Sequence, residues 1–207
     1  MIRAIVLAAG ESRRMGKPKP LLRFGNTTFL GQIIRVLQSC KLDGITVVLG
    51  ARAETIRAAT DLSPVDVVMN ENYHRGQLSS LIAGLKSLPV QTEAILLCLV
   101  DNPCITAEVV GRVIAGFRQT RSPIVIPVFN HHRGHPALFA RSMFVELTQA
   151  PVDKGARHVI SANEGRVLEV EVSDDAVSTG IDTPEDYRRY FGADPEIASA
   201  DLTREQR

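Results

Sequence analysis

The chain is predicted to be an α/β protein built on a mostly parallel central sheet with helices on both faces. Three observations carry this. Short apolar, β-rich runs recur along the whole length and are separated mostly by segments with apolar residues at three- and four-residue spacing. Two of the runs, 2–8 and 95–100, are continuous rather than alternating, as a parallel strand covered on both sides requires. Each of those two runs ends in a residue suited to ligand binding, Gly10 and Asp101, and in open α/β sheets ligands sit beyond the carboxyl ends of the strands.

Taken in order, strands are expected at 2–8, 45–49, 65–69, 94–100, 123–127 and 167–172. Helices are expected at 29–40, 54–60, 79–88, 107–120 and 142–147, often behind a Ser, Thr or Asp cap such as Thr106. A further helix start is written at Thr183-Pro184-Glu185, with Pro in the first turn. From Ala193 the chain turns polar, which predicts one domain over 1–192 and a frayed tail over 193–207.

The 207 residues, 44% of them hydrophobic, suffice to bury one full core. Charge is nearly balanced, 24 basic against 23 acidic residues, which argues against a general nucleic-acid or membrane-surface protein and for a small partner. Cys40, Cys98 and Cys104 lack zinc-ligand spacing and suit reduced thiols. Met1 runs straight into a strand, and no apolar run approaches a membrane span, so a soluble, cytoplasmic protein is expected.

Between the first strand and the first helix lies a glycine-bracketed loop, Gly10 to Gly16, followed by Lys17-Pro18-Lys19. Arg13, Arg14, Lys17 and Lys19 face a single Glu11, a local net charge of +3 in a chain whose total is +1. Backbone N–H groups in such a turn, with added cations, form a polyphosphate cradle. Five residues separate Gly10 from Gly16 and Pro18 follows Lys17, so this is not a Walker A loop. The G-x-G-x-x-G spacing of dinucleotide binders is also missing, and Pro18 and Pro20 forbid the regular helix they need. The loop is expected to be exposed.

Asp101, in Leu99-Val-Asp-Asn-Pro103, puts a carboxylate where a buried strand ends in a proline turn. Asp182, in Gly180-Ile-Asp-Thr-Pro184, is a second candidate. Each could simply cap the turn or helix that follows it; together, opposite a cationic loop, they could hold Mg²⁺. His131, His132 and His135 crowd one turn, but without an acidic or Cys partner at zinc spacing they suit a solvated or anion-facing loop better than a metal site.

With these residues in view, the chain resembles the MobA-like NTP transferases, and among them the molybdenum cofactor cytidylyltransferases of the MocA type. The resemblance covers about 190 residues and rests on six ordered blocks. They are Leu7-Ala-Ala-Gly-Glu-Ser-Arg-Arg-Met-Gly16 with Lys19-Pro-Leu-Leu22; Asn72 and Gly76 leading to Ser79-Ser80-Leu81 and Gly84-Leu85; Asp101-Asn-Pro103; Arg133-Gly-His-Pro136; Asp153-Lys-Gly-Ala-Arg157; and Gly180-Ile-Asp-Thr-Pro-Glu-Asp186.

The resemblance implies a Rossmann-like three-layer α/β/α nucleotidyltransferase fold and transfer of a nucleoside monophosphate, CMP from CTP, to molybdopterin or molybdenum cofactor. Ala8, Ala9 and Gly10, with Arg14 and Lys19, would bind the nucleotide phosphates; Asn72, Gly76, Ser79 and Ser80 would frame the base. Asp101 and Asp182 would hold Mg²⁺ or Mn²⁺, and Arg133, His135 and Arg157 would receive the anionic pterin acceptor. Arg14, Lys19 and Asp101 would be catalytic. The resemblance also implies a transient contact with a molybdoenzyme maturation chaperone. No general base is required, because a phosphate monoester with a second pKa of ~6 is mostly dianionic at neutral pH.

Some positions depart from the family pattern: Gln77-Leu78 after the glycine, Val100 and Asn102 around Asp101, and Thr179-Gly180 before the Ile-Asp-Thr-Pro run. They touch the base pocket and the surroundings of the metal, hence substrate identity more than reaction class. Leu7-Ala-Ala-Gly10 rather than Leu-Ala-Gly-Gly favours the cytidylyl branch. A nucleotidyltransferase for a sugar phosphate or phosphorylated alcohol, and a catalytically silent cofactor-binding chaperone, are the competing readings.

Overall fold

The computed structural model describes residues 1–198. Its elements are β1 (Ile2–Ala8), the hairpin β2 (Arg23–Phe24) and β3 (Thr27–Thr28), α1 (Phe29–Gln38), β4 (Ile45–Leu49), α2 (Ala53–Ala59), β5 (Asp66–Met69) and α3 (Gln77–Lys86). There follow β6 (Ala94–Leu99), α4 (Ala107–Thr120), β7 (Ile124–Phe129), β8 (His132–Arg133), β9 (Ala137–Ala140), α5 (Phe144–Gln149), α6 (Gly155–Ala162), β10 (Val167–Glu171) and α7 (Pro184–Phe191).

The central sheet runs in the order β10-β7-β9-β6-β1-β4-β5. All its neighbours pair in parallel except β9, which is antiparallel to both β6 and β7; β8 extends the β7 edge as a short antiparallel hairpin. The run Ile2–Ala8 is wholly buried because its alternate side chains enter two cores. Ala4, Val6 and Ala8 meet α1 and α4 through Leu30, Leu37, Val113 and Phe117, whereas Ile5 and Leu7 meet α3 and α6 through Leu81, Leu85 and Val159. This is the expected three-layer α/β/α arrangement. Truncating any such fully buried Leu or Ile to Ala would cost about 2–5 kcal/mol.

The caps explain several boundaries. Thr28 Oγ1 accepts from Gly31 N at 2.9 Å, and Thr106 Oγ1 accepts from Val109 N at 3.4 Å, starting α1 and α4. At α7 the cap is a box: Thr183 Oγ1 accepts from Asp186 N at 3.2 Å while Asp186 Oδ2 accepts from Thr183 N at 2.9 Å.

Besides the short strands β2, β3 and β8, three features differ from the sequence expectation. Strand β9 was not foreseen, since four apolar residues after Pro136 show no period; it is central in the sheet and fully buried. Helix α6 was read only as a binding block, for only Val159 of its residues is fully buried. Residues 193–198, expected in the polar tail, pack back on the chain: Glu196 O accepts from Arg23 N at 2.8 Å, Ala198 N donates to Leu21 O at 3.0 Å, and Ala198 is buried. The rest of the predicted tail, 199–207, lies outside the described residues. No helix among the described residues is long and apolar enough to cross a membrane.

Candidate active site

The carboxyl ends of β1, β4, β5 and β6 lie side by side, and the candidate residues gather at that edge. Ala8 is the buried last residue of β1 and belongs to the core, so it contributes through the backbone it carries to Ala9 and Gly10. Beyond Gly10 the chain winds round Ser12, whose carbonyl accepts from Met15 N at 3.1 Å and Gly16 N at 3.0 Å. The Ser12 hydroxyl accepts from Lys19 N at 3.0 Å, closing the loop.

The four cations of this loop are not equivalent. Arg13 pairs with Glu11 at the surface, and Lys17 Nζ donates to Pro195 O at 2.6 Å, so neither faces the cleft as the sequence suggested. Arg14 Nη2 lies 3.0 Å from Asp182 Oδ1 and its side chain is 70% exposed. Lys19 is buried, contrary to the expectation of an exposed loop residue. Its Nζ contacts Asp182 Oδ1 and lies 3.4 Å from Asp101 Oδ2, so in this structure it bridges the two carboxylates rather than standing free for a phosphate.

Asp101 and Asp182 come together through their backbones. Ile181 N donates to Asp101 O at 2.8 Å, and Asn102 Nδ2 donates to Thr179 O at 2.8 Å, which stitches the β6 turn to the segment before α7. Thr183 and Asp186 cap α7, which leaves the Asp182 carboxylate out of the capping role. Asp101 Oδ1 is buried and has no hydrogen-bond partner among the described residues. Two converging carboxylates with an unsatisfied buried oxygen suit a hard divalent ion whose other ligands come from phosphate or water. Among the described residues no group of three or more His, Cys, Asp or Glu could form a metal cage alone.

On the β5 side, Asn70 is a residue that the sequence reading missed. Buried at the strand end, its Nδ2 donates to Ser79 Oγ at 2.9 Å and to Ser80 Oγ at 3.0 Å, and its Oδ1 accepts from Asn72 N at 3.0 Å. It therefore ties the start of α3 to the loop before it. An Asn closing a strand at the ligand-binding edge was the available signal. Gly76 precedes α3 with φ 97°, a conformation that L side chains rarely adopt. A pocket of about 220 Å³ is lined by Ala9, Gly10, Lys19, Gly76, Ser80 and Asp101. Asn72 and Ser79 do not line it; the single Ser79 hydroxyl proton is shared between the carbonyls of Asn72, at 2.9 Å, and Gly76, at 2.8 Å, which braces the turn before α3.

A larger cavity of about 820 Å³ adjoins it, with Gln77 and Leu99 lining both. Its floor is apolar, from Leu97, Leu99, Ile126, Ala137 and Phe139, and its rim carries Asp153, Lys154, Arg157 and His158. Gly134 is held against the segment before α7: a Cβ there would come within 2.2 Å of Val177 O, and the same carbonyl accepts from His135 N at 2.8 Å. Burial holds His135 below the ordinary histidine range, with Asp101 opposing and Arg157 reinforcing, so the imidazole is neutral at pH 7. His135 thus lines the cavity as a neutral hydrogen-bonding group. Arg133 also lines it, but Glu164 and Glu169 bind its guanidinium. Of the three residues expected to receive the acceptor, only Arg157 has a charged side chain with no ion-pair partner among the described residues.

These features suit a protein that binds a nucleotide at the carboxyl edge of its sheet, and the family comparison gives the class: the MobA-like nucleotidyltransferases. The model of the MobA-like NTP transferase domain matches residues 4–167, and the chain belongs to that family. It is 28% identical over 202 residues to the nicotine blue oxidoreductase of Paenarthrobacter nicotinovorans, covering 92% of this chain and 96% of the relative. It is 28% identical over 188 residues to the molybdenum cofactor cytidylyltransferase of Escherichia coli, covering 90% and 93%. Among solved structures, that of Rv0371C in complex with manganese from Mycobacterium tuberculosis superposes with a TM-score of 0.80 at 32% identity, covering 93% of this chain and 98% of that one.

Proposed function

We propose that this nucleotidyltransferase moves CMP from CTP to the terminal phosphate of molybdopterin or molybdenum cofactor and releases pyrophosphate. The observation that carries the proposal is the junction of two cavities beside Asp101: a small one framed by glycines and Lys19, and a larger one with an apolar floor and a cationic rim. The small one suits a nucleotide held by its phosphates. The large one suits a flat heterocycle with an anionic arm. Ala9 supports CTP over GTP, and the similarity to a cytidylyltransferase supports the acceptor.

In this reaction an acceptor phosphate oxygen attacks the α-phosphorus of the nucleotide, and the bond to the bridging oxygen of pyrophosphate breaks. The acceptor is already ionised, so the protein's contribution is alignment and charge. Gly10 and the loop round Ser12 present backbone to the triphosphate; Arg14 and Lys19 supply positive charge beside it. Asp101 and Asp182 would hold a divalent ion, Mg²⁺ or Mn²⁺, which when bound neutralises the triphosphate and the departing pyrophosphate. Neutral His135, in the lining of the larger cavity, can hydrogen-bond the acceptor without needing to lose a proton.

The test is pyrophosphate release with each of the four NTPs, with and without molybdopterin, in Mg²⁺ or Mn²⁺. CTP-preferring, molybdopterin-dependent release is expected. A strong preference for GTP would reassign the nucleotide, turnover only with a sugar phosphate would reassign the acceptor, and tight molybdopterin binding without turnover would make the protein a cofactor carrier.

A further inference from the structure

The larger cavity carries opposite charge at its two ends. At one end Arg133 Nη1 donates to Glu164 at 2.9 Å, Nη2 donates to the same carboxylate, and Nε donates to Glu169 at 2.6 Å. One cation facing two carboxylates leaves that end formally negative. These glutamates also hold the guanidinium above even its ordinary range, so it stays charged and paired. Glu164 follows α6 and Glu169 lies on β10, so Arg133 ties the β7–β8 hairpin, with Gly134 and His135 just beyond it, to the helix across the cavity. At the other end Arg157 and Lys154 have no hydrogen bond or ion pair through their side chains among the described residues. Arg157 lies in the first turn of α6 and Lys154 just before it, whereas Glu164 follows the last turn, so the free cations and the paired arginine stand at opposite ends of that helix.

We propose that Arg157, with Lys154, forms the anion subsite for the acceptor's phosphate, and that Arg133 is a positioning residue that sets the distance between the hairpin and α6. A phosphate at Arg157 meets a free planar fork able to bind it through two charge-assisted hydrogen bonds. At Arg133 it would have to displace a carboxylate and then face another. The division of roles rests on the larger cavity's being the acceptor side, as in the function proposed above.

Two measurements separate the roles. Hydrogen–deuterium exchange, on protein without nucleotide or acceptor, reads the strut. Arg133→Gln should speed exchange of the amides in 130–136 and 155–162 by about two- to fivefold, the scale of an exposed ion-pair network, and Arg157→Gln should leave them unchanged. Steady-state kinetics with molybdopterin and CTP reads the ligand. Arg157→Gln should raise the acceptor KM by about tenfold to a hundredfold, while Arg133→Gln raises it only a fewfold. Glu164→Gln/Glu169→Gln, which removes the strut's partners and leaves Arg133 in place, should speed exchange of the same amides to a similar extent.

Unchanged exchange in Arg133→Gln, with an acceptor KM raised as far as in Arg157→Gln, would make Arg133 a ligand and overturn the proposal. Unchanged exchange in Glu164→Gln/Glu169→Gln would overturn it too. Should wild-type protein not use molybdopterin, the function proposed above fails by itself, and the exchange result still decides whether Arg133 is a strut.

Discussion

Replacing Lys19 should affect stability as well as activity, unlike replacing Arg14 in the same loop. The Lys19 side chain is 10% exposed and sits between Asp101 and Asp182, which are 27% and 32% exposed. Removing one partner of a buried ion pair costs about 3–5 kcal/mol, and the partial exposure of the carboxylates reduces this to about 1–3 kcal/mol. In a domain of this size that lowers Tm by about 3–10 °C for Lys19→Ala. Arg14, 70% exposed, should cost at most about 1 kcal/mol as Arg14→Ala. Thermal melts in EDTA measure both. Melts repeated in Mn²⁺ should recover more stability for Lys19→Ala than for wild type, because the freed carboxylates then gain a cation. Equal melting of Lys19→Ala and wild type in EDTA, or equal losses in the two variants, would show that Lys19 does not compensate the carboxylates and would refute the reasoning.

Other outcomes follow from the same geometry. Asp101→Asn and Asp182→Asn should each cut turnover severely and raise the Mg²⁺ needed for half-maximal activity, and the double variant should lose little more than the worse single one; a Mg²⁺ titration of the four proteins checks this. Gly134→Ala should destabilise by at least about 2 kcal/mol in urea denaturation, since its Cβ would lie within 2.2 Å of Val177 O. His135 has a folded-state pKa below its unfolded value near 6.5, so the unfolded chain binds the extra proton. Its effect is absent above that range and lowers stability as pH falls through it, and urea denaturation from pH 7.5 to 5 should show a shallower loss in His135→Gln than in wild type.

The continuous apolar strands, the Thr106 cap and the glycine–cation loop were legible along the chain because each is a local pattern: a period, a cap spacing, a cluster of charge. So was the pairing of a strand-end carboxylate at Asp101 with a second one before α7, though only as a possibility beside plain capping. That possibility turned on long-range contacts. Once Thr183 and Asp186 form their own capping box and Ile181 N donates to Asp101 O, Asp182 is left facing Lys19 and Asp101 instead of its own helix.

Other roles depended wholly on the fold. Strand β9 has no period to betray it, and its place between β6 and β7 is a matter of sheet topology. Four loop cations looked alike in sequence, yet one is buried between carboxylates, one lies over Asp182, and the others pair with Glu11 and Pro195. Arg133, His135 and Arg157 looked like one basic set. Burial keeps His135 neutral, Arg133 is bound to glutamates 31 and 36 positions away, and Arg157 has no side-chain partner among the described residues. Sequence carries a residue's intrinsic charge and its local geometry, whereas the charge it can offer a ligand depends on burial and on partners distant along the chain, which exist only once the sheet has brought those segments together.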